Sequence, residues 1–182
     1  KKYYRRLKMK LIYHPNKWLE KKVKPFDFTT HDPHLVSKEM IGIMEKSNGV
    51  GLAANQVELD AQIFIIKPTG LKDHEDEKPI ALINPKIEAV TEDMELGVEG
   101  CLSYPGLYLK VNRPKGLVVE YLDLDKKECK IELLGWNARI FGHEYDHLYG
   151  INFTDRVSKL RLEMAKKKQK KLFKKYKVDI KW

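Results

Sequence analysis

The stretch HEYDH, residues 143–147, decides how this chain is read. Two histidines four residues apart on a helix project from one face, one turn above the other. His143 and His147 can therefore reach a single metal ion, and Glu144 between them can exchange a proton with water held there. The flanks support a helix, with Asn137 expected to cap its start and Gly150 to close it. The plain alternative is a helix with two surface histidines. A third ligand and a set of oxyanion donors elsewhere in the chain would separate the two readings.

Two cysteines occur, Cys101 and Cys129. Two thiols in 182 residues suit a reducing compartment better than a disulfide framework. Cys129 falls in an expected hairpin strand, where a small hydrophobe is ordinary. Cys101 lies in EGCLSYPG, residues 99–106, on what reads as an irregular segment between strands, and is the better candidate ligand. A thiolate and two imidazoles leave a fourth tetrahedral position for water, the arrangement of a catalytic rather than a structural site.

Upstream, Thr30 precedes a helical pattern with Pro33 near its first turn. Val36, Met40, Ile43 and Met44 form its apolar stripe, and Gly49 supplies its C-terminal cap. GVGLAANQ, residues 49–56, is a glycine-rich connection, and residues 61–67 read as a buried strand. Residues 72–78 are a charged loop. Strands are expected at 80–84 and 86–90, followed by a polar turn into residues 97–106. Further strands are expected at 107–111 and 117–122, then a hairpin turning at 123–127 and returning over 129–134. From residue 158 onward Leu162, Ala165, Leu172 and Tyr176 mark the apolar edge of a long basic helix. The pattern is that of an α+β domain with a central helix and mostly antiparallel sheet.

The chain is long enough for one domain with a substantial core. Residues 1–10 are expected to be a poorly ordered basic leader, and 11–182 a single catalytic domain whose basic C-terminal helix covers 158–178. No run of about 18 apolar residues is present, so no membrane span is expected. The first residue is Lys1, which reads as the start of a truncated or processed product. The net charge of +9 comes mostly from lysine and gathers in KKYYRRLKMK and KKKQKKLFKKYK. Such blocks are commonly solvated faces, and otherwise attract a polyanion such as RNA.

Three separated stretches, GVGLAANQ, EGCLS and HEYDH, resemble the three signature motifs of the peptide deformylases, in the same order. The resemblance covers residue 9 to about 160, including DHLYG at 146–150. It implies an α+β fold in which antiparallel sheets surround the metal helix. It also implies hydrolytic removal of the formyl group from the N-terminal methionine of new polypeptides, releasing formate.

Carried over by position, the resemblance implies Cys101, His143 and His147 as ligands of one divalent ion. That ion would be Fe2+ physiologically, with Zn2+, Co2+ or Ni2+ able to substitute. Water activated there would attack the formyl carbon, with Glu144 as base and then acid. The Gln56 side chain and the Leu102 backbone N–H would stabilise the oxyanion. The peptide backbone would lie along Val50, Gly51 and Gly100 in an edge-strand mode. N-formylmethionyl peptides are the implied partners, with no membrane and no DNA. Residues 166–175 are expected to attract the ribosome. The leader favours an organelle that translates from formyl-methionine, plastid-type or mitochondrial, over a bacterial cytoplasm.

Several positions depart from the family pattern. Gly142 stands where glutamine is usual, and Tyr108 where many bacterial members carry arginine. Trp136 and Arg139 replace small or aliphatic residues, and Asn152 replaces an aliphatic one. Arg113 matches a recurrent arginine. These departures bear on pocket shape and turnover, not on reaction type. The rival enzyme is an ordinary H-E-x-x-H metallopeptidase, and the rival of another class is a basic ribosome- or RNA-binding module.

Overall fold

The computed structural model describes residues 9–71 and 78–176. Helix α1, Pro33–Lys46, starts at Asp32, whose carboxylate accepts from the backbone N–H groups of His34 and Leu35 at 2.9 and 3.2 Å. An acidic cap there satisfies two of the donors that every helix start leaves without a partner. Asp32 is thus the cap, two residues after Thr30. Val36, Met40 and Met44 are buried, and the Gly49 N–H closes onto the Met44 carbonyl at 2.9 Å.

Among the described residues seven strands follow: β1 Gly51–Ala53, β2 Ile63–Ile66, β3 Ile80–Val90, β4 Met94–Cys101, β5 Tyr104–Pro114, β6 Gly116–Leu122 and β7 Glu128–Leu134. All strand pairs are antiparallel. Five strands form one sheet in the order β1-β2-β3-β6-β7, while β4 and β5 form a separate two-stranded ribbon. Helix α2, Gly135–Leu148, lies against both, touching β1, β2, β6 and β7 of the sheet and β5 of the ribbon. Helix α3, Lys159–Tyr176, packs on β5. The architecture is α+β, with antiparallel sheets around a central helix.

The apolar face of α2 meets the sheet through Phe141, which packs edge-on against Phe64 at 5.2 Å between ring centroids, within a cluster that includes Leu82 and Val119. Each such fully buried side chain stabilises the fold by about 1.5–3 kcal/mol. That packing fixes which face of α2 is left for polar chemistry.

Several expectations are corrected. Residues 80–90 form one strand, not two, because a bulge with Asn84 at φ 48 absorbs the irregularity between Ile83 and Lys86. Strand β4 takes in the end of the polar turn expected before residue 97 and runs on to Cys101, which ends it instead of sitting on an irregular segment. A register shift does fall just before it, between Gly100 and Cys101. Asn137 does not cap α2. The cap position is Leu134, with no side-chain hydrogen bond, and Asn137 exchanges hydrogen bonds with the backbone of Thr69 at 3.1 and 2.7 Å.

On α3, Leu162 and Ala165 pack inward beside Tyr104 and Phe153, but Leu172 and Tyr176 are exposed. Gln169 instead donates to the Pro105 carbonyl at 2.7 Å. Residues 1–8 of the expected leader, 72–77 of the charged loop and 177–178 of the expected helix lie outside the described residues. Among the described residues no helix is long and apolar enough to cross a membrane.

Candidate metal centre

The two imidazoles of HEYDH come from the buried face of α2, and the thiol comes from the end of β4. Donor atoms of Cys101, His143 and His147 all lie within 4.8 Å of one another, with Cys101 Sγ 3.3 Å from His147 Nε2. Such a spread suits a single small ion held by sulfur and nitrogen. Among the described residues this is the one group of three or more such side chains placed to hold an ion. Cys129 is not part of it and sits in β7 near Asp123.

His143 Nδ1 lies 3.0 Å from Glu99 Oε2, which leaves Nε2 for the ion. Glu99 was not singled out by motif reading. It is buried against the same face of α2 and held by Arg113, which donates from Nε and Nη2 at 2.9 and 3.0 Å, and by Arg139 at 3.0 Å. Burial would raise the pKa of Glu99, but His143 and Arg113 overcome it and bring it down to about 2. Burial likewise opposes protonation of His143, yet hydrogen bonds to Cys101 and Glu99 hold its pKa well above the ordinary value. His147 is pushed well below it by burial and by the neighbouring His143 charge.

Glu144 is buried, and burial lifts its pKa to about 7. Its Oε2 has no hydrogen-bond partner among protein atoms, so one carboxylate oxygen is left for a molecule in the site. A Cβ on Gly51 would stand 2.3 Å from Glu144 Oε1, so the glycine in GVGLAANQ is where β1 and the carboxylate meet. Gln56 is locked in orientation: its Oε1 accepts from the Ala53 N–H at 2.8 Å, while Nε2 donates to Ser103 Oγ at 3.1 Å and toward Cys101 Sγ at 3.4 Å.

Leu102 packs partly buried against the Met44 cluster, with its Cδ1 only 2.6 Å from where a Gly49 Cβ would be. Val50 is 42% exposed, and β1 is an edge strand of the five-stranded sheet. Gly100 is exposed one residue before Cys101, with the Tyr108 ring against it. A cleft of about 540 Å³ opens beside Val50, walled by Trp136 and Thr69.

Asp146 of the DHLYG extension anchors the network from the other side. It accepts from Arg113 Nη1 at 2.6 Å and from Arg156 Nε at 2.9 Å, with a further contact to Arg156 Nη2. Arg113 Nη1 also reaches the Gly142 carbonyl at 3.1 Å. A Cβ at Gly142 would sit 3.3 Å from Arg113 Cδ, a tight contact that the arginine stem would have to relieve. Asn152 is buried and donates to the Leu19 carbonyl at 3.1 Å, which accounts for an amide at an otherwise apolar position.

The family model for polypeptide deformylase matches residues 8–163. The chain belongs to the polypeptide deformylase family. The chloroplastic peptide deformylase 1B of Oryza sativa subsp. japonica is 35% identical over 92% of this chain. This chain spans only 62% of that rice protein's length. The peptide deformylase of Rhizobium meliloti (strain 1021) is 35% identical over 85% of this chain and 88% of its own. Among solved structures, a peptide deformylase from Synechococcus elongatus in complex with actinonin superposes with a TM-score of 0.80 at 34% identity. The match covers 90% of this chain and 87% of that one. Deformylase relatives thus include plastid and bacterial proteins, and the chain carries a Cys/His/His group able to hold one ion.

Proposed function

We propose that the chain removes the formyl group from the N-terminal methionine of new polypeptides by metal-dependent hydrolysis, releasing formate. The observation that carries this reading is the meeting of a Cys/His/His donor set with a buried carboxylate that has an unpartnered oxygen. The donor chemistry fits a divalent ion: one soft sulfur with His147 Nε2 beside it, and a second imidazole whose Nδ1 is engaged by Glu99. Cys101, His143 and His147 would hold it, ferrous iron physiologically, with zinc, cobalt or nickel able to substitute. When bound, such an ion acidifies water toward neutrality and polarises a carbonyl.

The remaining steps belong to side chains of the protein. Glu144 takes a proton from the attacking water as the water oxygen bonds to the formyl carbon. Gln56 Nε2, giving up its long contact to Cys101 Sγ, and the Leu102 backbone N–H then donate to the oxyanion, each worth about 3 kcal/mol of barrier. Glu144 returns its proton to the amine nitrogen, the C–N bond breaks, and formate leaves beside a free N-terminus. Val50, Gly51 and Gly100 line the path of the peptide backbone. The paired assay that tests this uses a formyl-methionyl tripeptide and its unformylated counterpart. Formate should come from the first and no cleavage from the second. Cleavage of the unformylated peptide would make the chain an ordinary peptidase.

Lysines 170, 171, 174 and 175 lie exposed on α3 and supply charge for contact with ribosomal RNA. Changing these four to glutamate should abolish low-salt co-sedimentation with ribosomes, and unchanged co-sedimentation would remove the contact. The likeness to plastid and bacterial relatives suits an organelle translating from formyl-methionine and a bacterial cytoplasm alike, and the basic leader leans the reading to the organelle.

A further inference from the structure

The ligands of the proposed ion come from two separate pieces of the fold, Cys101 from the β4–β5 ribbon and the histidines from α2. Something must set the distance between them. Arg139 lies on α2 one turn before His143, is 4% exposed, and reaches across to the ribbon. Its guanidinium donates to the Glu95 carbonyl at 2.7 Å, the Val111 carbonyl at 2.9 Å, the Gly97 carbonyl at 3.4 Å and Glu99 Oε1 at 3.0 Å. Both ribbon strands are therefore tied to α2 by one side chain. Gly97 makes this approach possible, because a Cβ there would stand 2.6 Å from Arg139 Cζ.

Through Glu99 the same side chain acts on a ligand. Glu99 Oε1 accepts from Arg113 and Arg139, while Oε2 accepts from Arg113 and faces His143 Nδ1. With Oε1 occupied by two guanidiniums, the carboxylate cannot rotate away from His143 without breaking charge-assisted hydrogen bonds. Outer partners of this kind fix the tautomer and direction of a ligating histidine.

We infer that Arg139 is a positioning residue for the ion: it clasps β4 and β5 to α2 and holds Glu99 on His143, so that Cys101 and the two histidines converge. This inference rests on the reading of Cys101, His143 and His147 as ligands. It assigns Arg139 no contact with substrate.

The test loads the full chain with Co2+ and follows its transfer to an excess of chelator, together with the ligand-field spectrum and thermal midpoint of each variant. Arg139→Met should release Co2+ roughly ten- to hundred-fold faster than the wild type. Arg139→Lys should fall between, keeping the charge without the planar fork. Gly97→Ala, which keeps Arg139 but displaces its guanidinium, should also speed release. On a Glu99→Gln background the effect of Arg139→Met should fall below its effect alone, since part of that effect passes through Glu99. A wild-type release rate in folded Arg139→Met would overturn the inference. Where that variant does not fold, a wild-type rate in Gly97→Ala does so instead. Strict additivity with Glu99→Gln would reduce Arg139 to a fold contact and overturn it too. A wild-type chain that takes up no Co2+ is a different outcome, because it removes the ligand reading itself.

Discussion

Gly51 and Glu144 are in contact so close that a methyl group on Gly51 would lie 2.3 Å from Glu144 Oε1. The glycine of the first motif and the carboxylate of the third thus form one surface. Gly51→Ala is expected to push Glu144 off its position, lowering formate release at least a hundred-fold. Overpacking of this kind costs about 1–3 kcal/mol of stability. Steady-state assay and urea unfolding of the same preparation measure both, and near-native turnover would show that Glu144 has slack.

Gln56 holds its amide by three hydrogen bonds, so its direction is set before any substrate arrives. Gln56→Leu should lower kcat by about 100- to 1,000-fold, as loss of a preorganised oxyanion donor does. Bound metal, measured by elemental analysis, should stay at one ion per chain. A variant that loses its ion instead would assign Gln56 to holding Cys101.

Arg113 is buried between Glu99 and Asp146, with ion-pair distances of 2.9 and 2.6 Å. Arg113→Met removes one partner from each of two buried carboxylates, leaving Glu99 to Arg139 and His143 and Asp146 to Arg156. Breaking a buried pair costs up to about 3–5 kcal/mol. The change should appear as a lowered urea midpoint at neutral pH. A loss below about 1 kcal/mol would mean the network relaxes onto Arg139 and Arg156.

These three residues also show what sequence could carry. The meeting of His143, His147 and Cys101 was legible, since imidazoles four apart share a helix face and a thiol could complete a donor set. Gln56 and Gly51 entered only through the resemblance of GVGLAANQ to a family motif. Strand β4 was not legible, because its alternation is inverted. Met94, Leu96 and Val98 are about half exposed, while Glu99 is buried against α2. A period of two was present in the sequence, with apolar side chains turned outward. Glu99 and Cys101 are two apart and so share a strand face. That spacing was the available signal for Glu99 as a neighbour of the ligands. The start of α2 misled for a related reason: Asn137 is a cap-type residue whose amide is engaged with Thr69. Local chemistry cannot reveal a partner 68 residues away.

His14 stacks on Tyr104 at 4.7 Å between ring centroids, and its pKa is lowered by burial and by the nearby Lys166 charge, with Glu20 opposing. A histidine with a lowered folded pKa binds fewer protons folded than unfolded. Its contribution is therefore complete above the unfolded value near 6.5 and is lost as pH falls below it. Against His14→Phe, the wild type should lose more thermal stability between pH 7.5 and pH 5.5. Parallel curves for the two proteins would show that His14 does not titrate differently on folding.

The central claim is that Cys101, His143, His147 and Glu144 together form a ferrous hydrolytic centre for formyl-methionine. Its most direct measurement is formate release from a formyl-methionyl tripeptide by protein purified without oxygen and shown to carry ferrous iron. The account predicts turnover by the wild type, loss of activity on exposure to oxygen as iron or the thiolate is oxidised, and none by Glu144→Ala with its iron retained. No formate from the iron-loaded wild type, or turnover undiminished in Glu144→Ala, would contradict it.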